Sequence, residues 1–254
     1  TKQTSASQQI IFAGIRDQRL DLFLGYWNPL MNQTITPFVD ANQVKVLAEP
    51  SLKDARATLA VPAYLADKGL KTFADIARFQ KELGGKIYGI EPGSGANTQI
   101  KEMIAKNQFG LGKFQLVESS EAGMLSAVAR AVKRNEAIVF FGWAPHPMNV
   151  NFKMSYLSGS ENALGPNEGQ ATVWTVTAPN YAEQCPNVHR LLTNLTFSAE
   201  DESRMMQPLL DHKDALESAR QWLKDHPQDQ QRWLEGVTTF DGKPAAEHLQ
   251  LTSK

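Results

Sequence analysis

The chain has 254 residues, 42% of them hydrophobic and 21% charged, with a formal net charge of −1. That length supports one large domain or two lobes with cores of their own. The near-zero charge excludes the electrostatic footprint of a nucleic-acid binder, no polybasic run suggests anchoring to anionic lipid, and no apolar stretch approaches a membrane span.

Thr1 to Gln9 is polar and carries no signal-peptide pattern, which fits a cytosolic protein or a mature secreted one. Gln8 to Gln18 reads as a helix leading into a strand, Leu20 to Gly25. Asn28 to Ala41 follows, with prolines near both ends of a helical turn. Val44–Leu47 and Thr58–Val61 read as strands. Thr72 to Leu83 opens on a threonine cap and keeps Phe73, Ile76, Ala77 and Phe79 at helical spacing. Strands are expected at Lys86–Ile90, Phe114–Glu118 and Ala137–Trp143, and helices at Ala96–Asn107 and Ser120–Asn135.

The texture then changes. Asn149 to Gly169 reads as loop, with Met154, Tyr156 and Leu157 as apolar exceptions, and Thr172–Thr177 as a strand. Helices follow at Pro186–Leu195, Ala199–Asp211, Asp214–Asp225 and Asp229–Gly236. Strand–helix alternation argues for open α/β sheets. A late strand followed by a helical tail suits a chain that crosses to a second lobe and returns. The single cysteine, Cys185, leaves the redox compartment open.

Aromatic residues after strands carry the chemistry. Trp27 lies in Phe23-Leu24-Gly25-Tyr26-Trp27-Asn28-Pro29, and Trp143 in Phe140-Phe141-Gly142-Trp143-Ala144-Pro145-His146-Pro147. Tyr64 follows the strand ending at Val61-Pro62. Ligands of open α/β sheets bind at the carboxyl ends of strands. Indole and phenol faces there attract a quaternary ammonium cation through the ring quadrupole. An aromatic taken alone is more often core than cage, but the flanking prolines and glycines mark bends rather than plain core. Trp222 and Trp233 read as packing residues of the C-terminal helices, and Trp174, in a strand, as part of a crossing segment or of the core.

Glu91-Pro92-Gly93-Ser94-Gly95-Ala96-Asn97 is a glycine-rich turn before a helix. Its backbone N–H groups suit an anion or a polar group, or the turn simply caps the helix. It lacks the Lys-Ser/Thr pair of a P-loop and the spacing of a dinucleotide fingerprint. There is no Gly-x-Ser-x-Gly, and His146, His189, His212, His226 and His248 are scattered without metal-ligand spacing. Cys185 has no local support as a nucleophile, and Glu200, Asp201 and Glu202 read as a solvated helix face. The reading therefore includes no catalytic residue, metal or cofactor.

Five segments carry a family resemblance: Leu24-Gly25-Tyr26-Trp27-Asn28-Pro29, Gly89-Ile90-Glu91-Pro92-Gly93, Ala144-Pro145-His146-Pro147-Met148-Asn149, Tyr156-Leu157-Ser158-Gly159 and Trp233-Leu234-Glu235-Gly236-Val237-Thr238-Thr239. With them the chain resembles, along essentially its whole length, the periplasmic choline and glycine betaine binding proteins of ABC importers, choline-type subgroup. The resemblance implies an α/β, two-lobed periplasmic binding protein fold of type II, each lobe an open mixed sheet flanked by helices. Lobe 1 is expected at 1–63 and 169–254, lobe 2 at 64–168, with hinge closure over the ligand. The implied site is an aromatic cage of Trp27, Tyr64 and Trp143, with Asn97 bonding the ligand's polar end. The implied partners are a small quaternary ammonium ligand and an ABC transporter permease, the implied place the periplasm.

The sequence departs from the family at its start, where a Gly-Trp-x-Asp segment supplies another cage tryptophan and a carboxylate. No such segment occurs here. The expectation is a chain lacking its first strand and one wall of the site, through truncation or with a second chain filling the gap. A disulfide partner for Cys185 is expected in the same segment. Choline is the first choice of ligand, with glycine betaine and carnitine as alternatives sharing the trimethylammonium head. They differ at the other end, where a carboxylate wants more donors than a hydroxyl. A choline-ester hydrolase on a similar scaffold would need a nucleophile–base pair, and a ligand-sensing regulator a helix-turn-helix; neither is found. His146 is expected to matter less to binding than Trp143, unless it braces its loop.

Overall fold

Two long strands organise the chain, as seen in a computed structural model that describes residues 2–248. The strands are β1 (Leu22–Asn28), β2 (Lys45–Val46), β3 (Leu52–Pro62), β4 (Lys86–Tyr88), β5 (Gln115–Val117), β6 (Phe140–Ala144), β7 (Met154–Tyr156) and β8 (Gln170–Thr177). They form one mixed sheet in the order β1-β8-β3-β6-β4-β5, with β2 also on β8 and β7 also on β3. β4 runs parallel to β5 and β6; the other pairings are antiparallel.

β3 is the crossing strand. Its first half pairs with β8 (Leu52 opposite Val173, Ala55 opposite Ala171) and its second half with β6 (Ala57 opposite Trp143, Leu59 opposite Phe141). Arg56 is opposite Gln170 on one side and Ala144 on the other. The sequence reading has only Thr58–Val61 as strand here. It misses the first half because Lys53, Asp54 and Arg56 break the apolar run. Lys53 and Asp54 are exposed, while everything from Ala57 to Pro62 is buried. Continuous burial marks a strand covered on both faces.

Helix Glu121–Arg134 forms because Met124, Val128 and Ala131 repeat on one face, and all three are buried. Ser120 caps it by accepting from Gly123 N–H at 3.1 Å. It ends at Asn135, in the left-handed region at φ 56°, with Lys133 and Arg134 in its last turn. Helix Gly95–Ala105 buries Ala96, Ile100 and Met103 and is capped by Ser94. Helix Gln8–Arg16 turns Phe12 and Ile15 into a separate apolar cluster with Tyr26, Ile35, Val44 and Val176. The larger cluster lies under the second half of β3 and includes Leu59, Phe73, Ile87, Ile100 and Phe141.

Two further segments differ from the sequence reading. The expected helix Thr72–Leu83 is a short α-turn, Phe73–Ile76, followed by a 3-10 turn, Ala77–Phe79. The expected loop Asn149–Gly169 contains β7, and its apolar exceptions Met154 and Tyr156 are that strand's ends. The helical tail forms as expected: Pro186–Asn194, Ala199–Leu210, Ala215–Asp225 and Pro227–Trp233. Trp233 anchors it, packing on Phe197 at a ring distance of 5.2 Å and donating to Thr196 O at 3.2 Å. Among the described residues, no helix is long and apolar enough to cross a membrane.

Candidate functional site

A cavity of about 220 Å³ lies where β1, β3 and β6 approach one another. Residues between 8 and 57 form one side, Trp27, Leu30 and Met31 among them; residues between 90 and 143 form the other, including Glu91, Glu121 and Trp143. The volume lies below the roughly 300–1,000 Å³ of clefts for drug-sized ligands, so it suits a small compound. Larger grooves run along the helical tail, but no tryptophan pair faces across them in this way.

Antiparallel pairing places the two indoles. Trp143, near the carboxyl end of β6, is opposite Ala57 at the middle of β3. Trp27, near the end of β1, is opposite Val173, which is opposite Leu52 of β3. Both therefore arrive at the crossing. Hydrogen bonds to the indoles' own carbonyls fix each turn: Met31 N–H donates to Trp27 O at 2.9 Å, and the Asn149 side-chain Nδ2 donates to Trp143 O at 2.9 Å. Phe141 adds a third ring, 5.7 Å from that of Trp143. The Asn28–Pro29 and Ala144–Pro145 peptides that follow the indoles are both cis.

Tyr64 does not line this cavity. It follows the carboxyl end of β3, which runs antiparallel to β6 and so ends at the opposite end of the strand pair from Trp143. Its hydroxyl donates to Glu136 O at 2.6 Å and lies 3.3 Å from Ala131 O, at the end of helix Glu121–Arg134. Burial raises its pKa above the usual phenol value. The expectation of three aromatics on one wall assumes strands running the same way; the crossing separates Tyr64 from the other two.

Asn97 is only 1% exposed and does not line the cavity either. Its Nδ2 group donates to Ile90 O at 2.8 Å, to Glu91 O at 3.1 Å and to Glu118 Oε1 at 3.1 Å. Its Oδ1 accepts from Ile90 N–H at 3.0 Å. The amide is thus occupied in pinning the glycine-rich turn. That turn supplies Glu91, Ser94, Gly95 and Ala96 to the cavity wall. Gly95 allows the approach: a Cβ there would sit 1.8 Å from Leu30 O on the opposite wall.

Three residues that the sequence reading did not select also belong here. Gln8 lines the cavity, and its buried Oε1 has no hydrogen-bond partner among the described residues. Glu121 lines it from the first turn of its helix. His146 is fully buried behind Trp143, with ring centroids 4.7 Å apart, and contacts Glu121 at 3.1 Å. The Pro-His-Pro turn was the available signal for His146, weighed above only as a brace of its loop; its partner Glu121 lies 25 residues away. Both charged side chains in the lining, Glu91 and Glu121, are acidic. The cavity thus combines two indoles with negative charge, the requirements of an organic cation. Among the described residues, no group of three or more His, Cys, Asp or Glu could hold a metal ion.

Comparison with known proteins gives a consistent picture. The family model "Substrate binding domain of ABC-type glycine betaine transport system" matches residues 1–225. The chain is 31% identical over 167 residues to the glycine betaine/carnitine transport binding protein GbuC of Listeria monocytogenes, covering 64% of this chain and 55% of that protein. It spans just over half the length of that curated relative. A solved ABC-transporter choline binding protein in complex with choline is 44% identical, with a TM-score of 0.90 over 96% of this chain and 84% of the other. An ABC-transporter choline binding protein in an unliganded semi-closed conformation is 45% identical, with a TM-score of 0.86 over 98% and 87%. The α/β architecture is that of the two-lobed, type II periplasmic binding proteins. On this match, the chain belongs to the substrate-binding domains of ABC-type glycine betaine transport systems.

Proposed function

We propose that this chain captures a quaternary ammonium compound, choline first, and hands it to the permease of an ABC importer without catalysing a reaction. The carrying observation is the cavity at the crossing: Trp27 and Trp143 face into it, and its charged lining is Glu91 and Glu121. Each indole face contributes about 0.5–2 kcal/mol toward a desolvated cation. In this reading Tyr64 and Asn97 support the site from behind instead of touching the ligand.

The far end of the ligand decides among the relatives' compounds. A hydroxyl can donate to the unpartnered Gln8 Oε1. A carboxylate, carried by both glycine betaine and carnitine, brings a further negative charge beside Glu91 and Glu121, and glycine betaine, unlike carnitine with its hydroxyl, also offers Gln8 Oε1 no proton. Choline is thus favoured over glycine betaine and carnitine. In this reading the lobes are 1–63 with 169–254, and 64–168, a division supported by the cavity lining, whose two sides fall in these two sets. The place of action is the periplasm, the delivery partner a membrane permease of the importer.

Calorimetric titration of this chain with choline, glycine betaine and carnitine tests the reading. Choline is expected to bind tightest. Tighter binding of either carboxylate compound overturns the choice of choline, and binding of none of the three overturns the quaternary ammonium assignment.

A further inference from the structure

Resting on that reading, we propose that Glu121 is the counter-ion of the bound cation and that His146 is the residue that positions it. Glu121 lies outside the Gly-Trp-x-Asp segment in which the family resemblance places a carboxylate. It begins helix Glu121–Arg134 and lines the same cavity as Trp27 and Trp143. The Nδ1 atom of His146 accepts from Met148 N–H at 3.0 Å, so that nitrogen carries no proton. The ring proton is therefore on Nε2, directed at Glu121 Oε1 3.1 Å away.

The same imidazole packs against Trp143 at 4.7 Å and an interplanar angle of 56°. One buried ring thus sets an indole wall and a carboxylate relative to each other. The ring is itself held in a braced loop. Asn149 Nδ2 donates to Trp143 O and His146 O, and Tyr156 Oη donates to Asn149 Oδ1 at 2.7 Å. A carboxylate fixed before binding loses less side-chain freedom when the cation arrives. Both carboxylates of the lining reach solvent, the Glu121 side chain at 46% exposure, but no described residue bonds to the side chain of Glu91. Fixed geometry therefore selects Glu121.

The test compares choline with 3,3-dimethyl-1-butanol, its uncharged isostere in which carbon replaces nitrogen. Dissociation constants for both are measured on the wild type, Glu121→Gln, Glu91→Gln and His146→Phe. Glu121→Gln is expected to weaken choline about tenfold, the size of a partly screened charge contact, and to change the isostere less than twofold. His146→Phe keeps a ring against Trp143 and removes the donor to Glu121. It is expected to weaken choline by a smaller factor, again sparing the isostere. Equal loss of both ligands in Glu121→Gln would show a structural role and overturn the proposal. So would unchanged choline binding, or charge selectivity lost in Glu91→Gln alone. A wild type that binds choline no better than the isostere overturns the functional reading together with this proposal, whereas a selective wild type with a selective Glu121→Gln overturns this proposal only.

Discussion

Replacing Asn97 by Asp exchanges one NH2 group for an oxygen and keeps the side chain's shape. Oδ1 can still accept from Ile90 N–H, 3.0 Å away. The new oxygen, however, faces three acceptors that the amide now serves: Ile90 O at 2.8 Å, Glu91 O at 3.1 Å and Glu118 Oε1 at 3.1 Å. Each hydrogen bond lost at a buried acceptor costs about 1–3 kcal/mol. Losing the two protons of the amide, with a carboxylate brought toward that of Glu118, amounts to about 3 kcal/mol or more. In a protein of this size that lowers Tm by about 6–12 °C. The deficit narrows on acidification, because a protonated aspartic acid regains one donor. The glycine-rich turn that lines the cavity loses its pin, so ligand affinity falls about tenfold as well. Thermal unfolding by circular dichroism and calorimetric titration measure the two effects. A variant that keeps its Tm within about 2 °C and loses only affinity would place Asn97 on the ligand itself; one that keeps both would refute the bracing argument.

Trp143→Ala and Trp27→Ala should each weaken choline by about tenfold or more in titration, since each removes a cation-facing ring worth up to about 2 kcal/mol. Tyr64→Phe should leave affinity within twofold and lower stability by about 1 kcal/mol in denaturant unfolding, because the hydroxyl serves Glu136 O. Gly95→Ala puts a methyl 1.8 Å from Leu30 O. It should weaken binding by tenfold or more and enlarge the radius of gyration in X-ray scattering, as the two walls move apart. Glu202 has its pKa raised, first by burial and then by the nearby Asp54 carboxylate. Between the ordinary glutamate value and the raised folded one, the folded form holds a proton that the unfolded chain releases, so its contribution to stability is full below the ordinary value and is lost as pH rises through the folded pKa. Glu202→Gln should therefore raise Tm at pH 7, with the gain fading as pH falls through the raised folded pKa and gone below the ordinary glutamate value.

The parts of this molecule written in local sequence were legible from it. Met124, Val128 and Ala131 recur at helical spacing, and Ser94 and Ser120 stand where caps belong, so two helices beside the cavity could be placed. Trp27 and Trp143 stood out because proline and glycine flank them. What local sequence does not encode is strand direction. Tyr64 follows a strand as the two indoles nearly do, yet β3 opposes β6, and the tyrosine ends on the carbonyls of a distant helix. Nor does it encode partners far along the chain. Asn97 takes its role from Glu118, and Glu121 its orientation from His146, 21 and 25 residues away. Polar residues in the first half of β3 hid the crossing strand itself, and with it the point where the walls meet.

That crossing explains why the binding chemistry and the closing contact fall in one place. β3 changes partner at Arg56, between β8 and β6, so whatever follows β1 and whatever ends β6 must converge there. Trp27 comes with the first set of strands, and Trp143 with the second, joined by Glu121 through His146. Leu30 O and Gly95 close the gap between the sets without room for a methyl group. A cation seated between the indoles is therefore complete only when both walls are near, and it adds its own attraction to hold them there. A ligand shifts a conformational equilibrium by its differential affinity for the two states. On the proposed function the differential is large by construction, since neither wall alone carries both rings, and separation of the walls would release the cation without any change in the residues that recognise it.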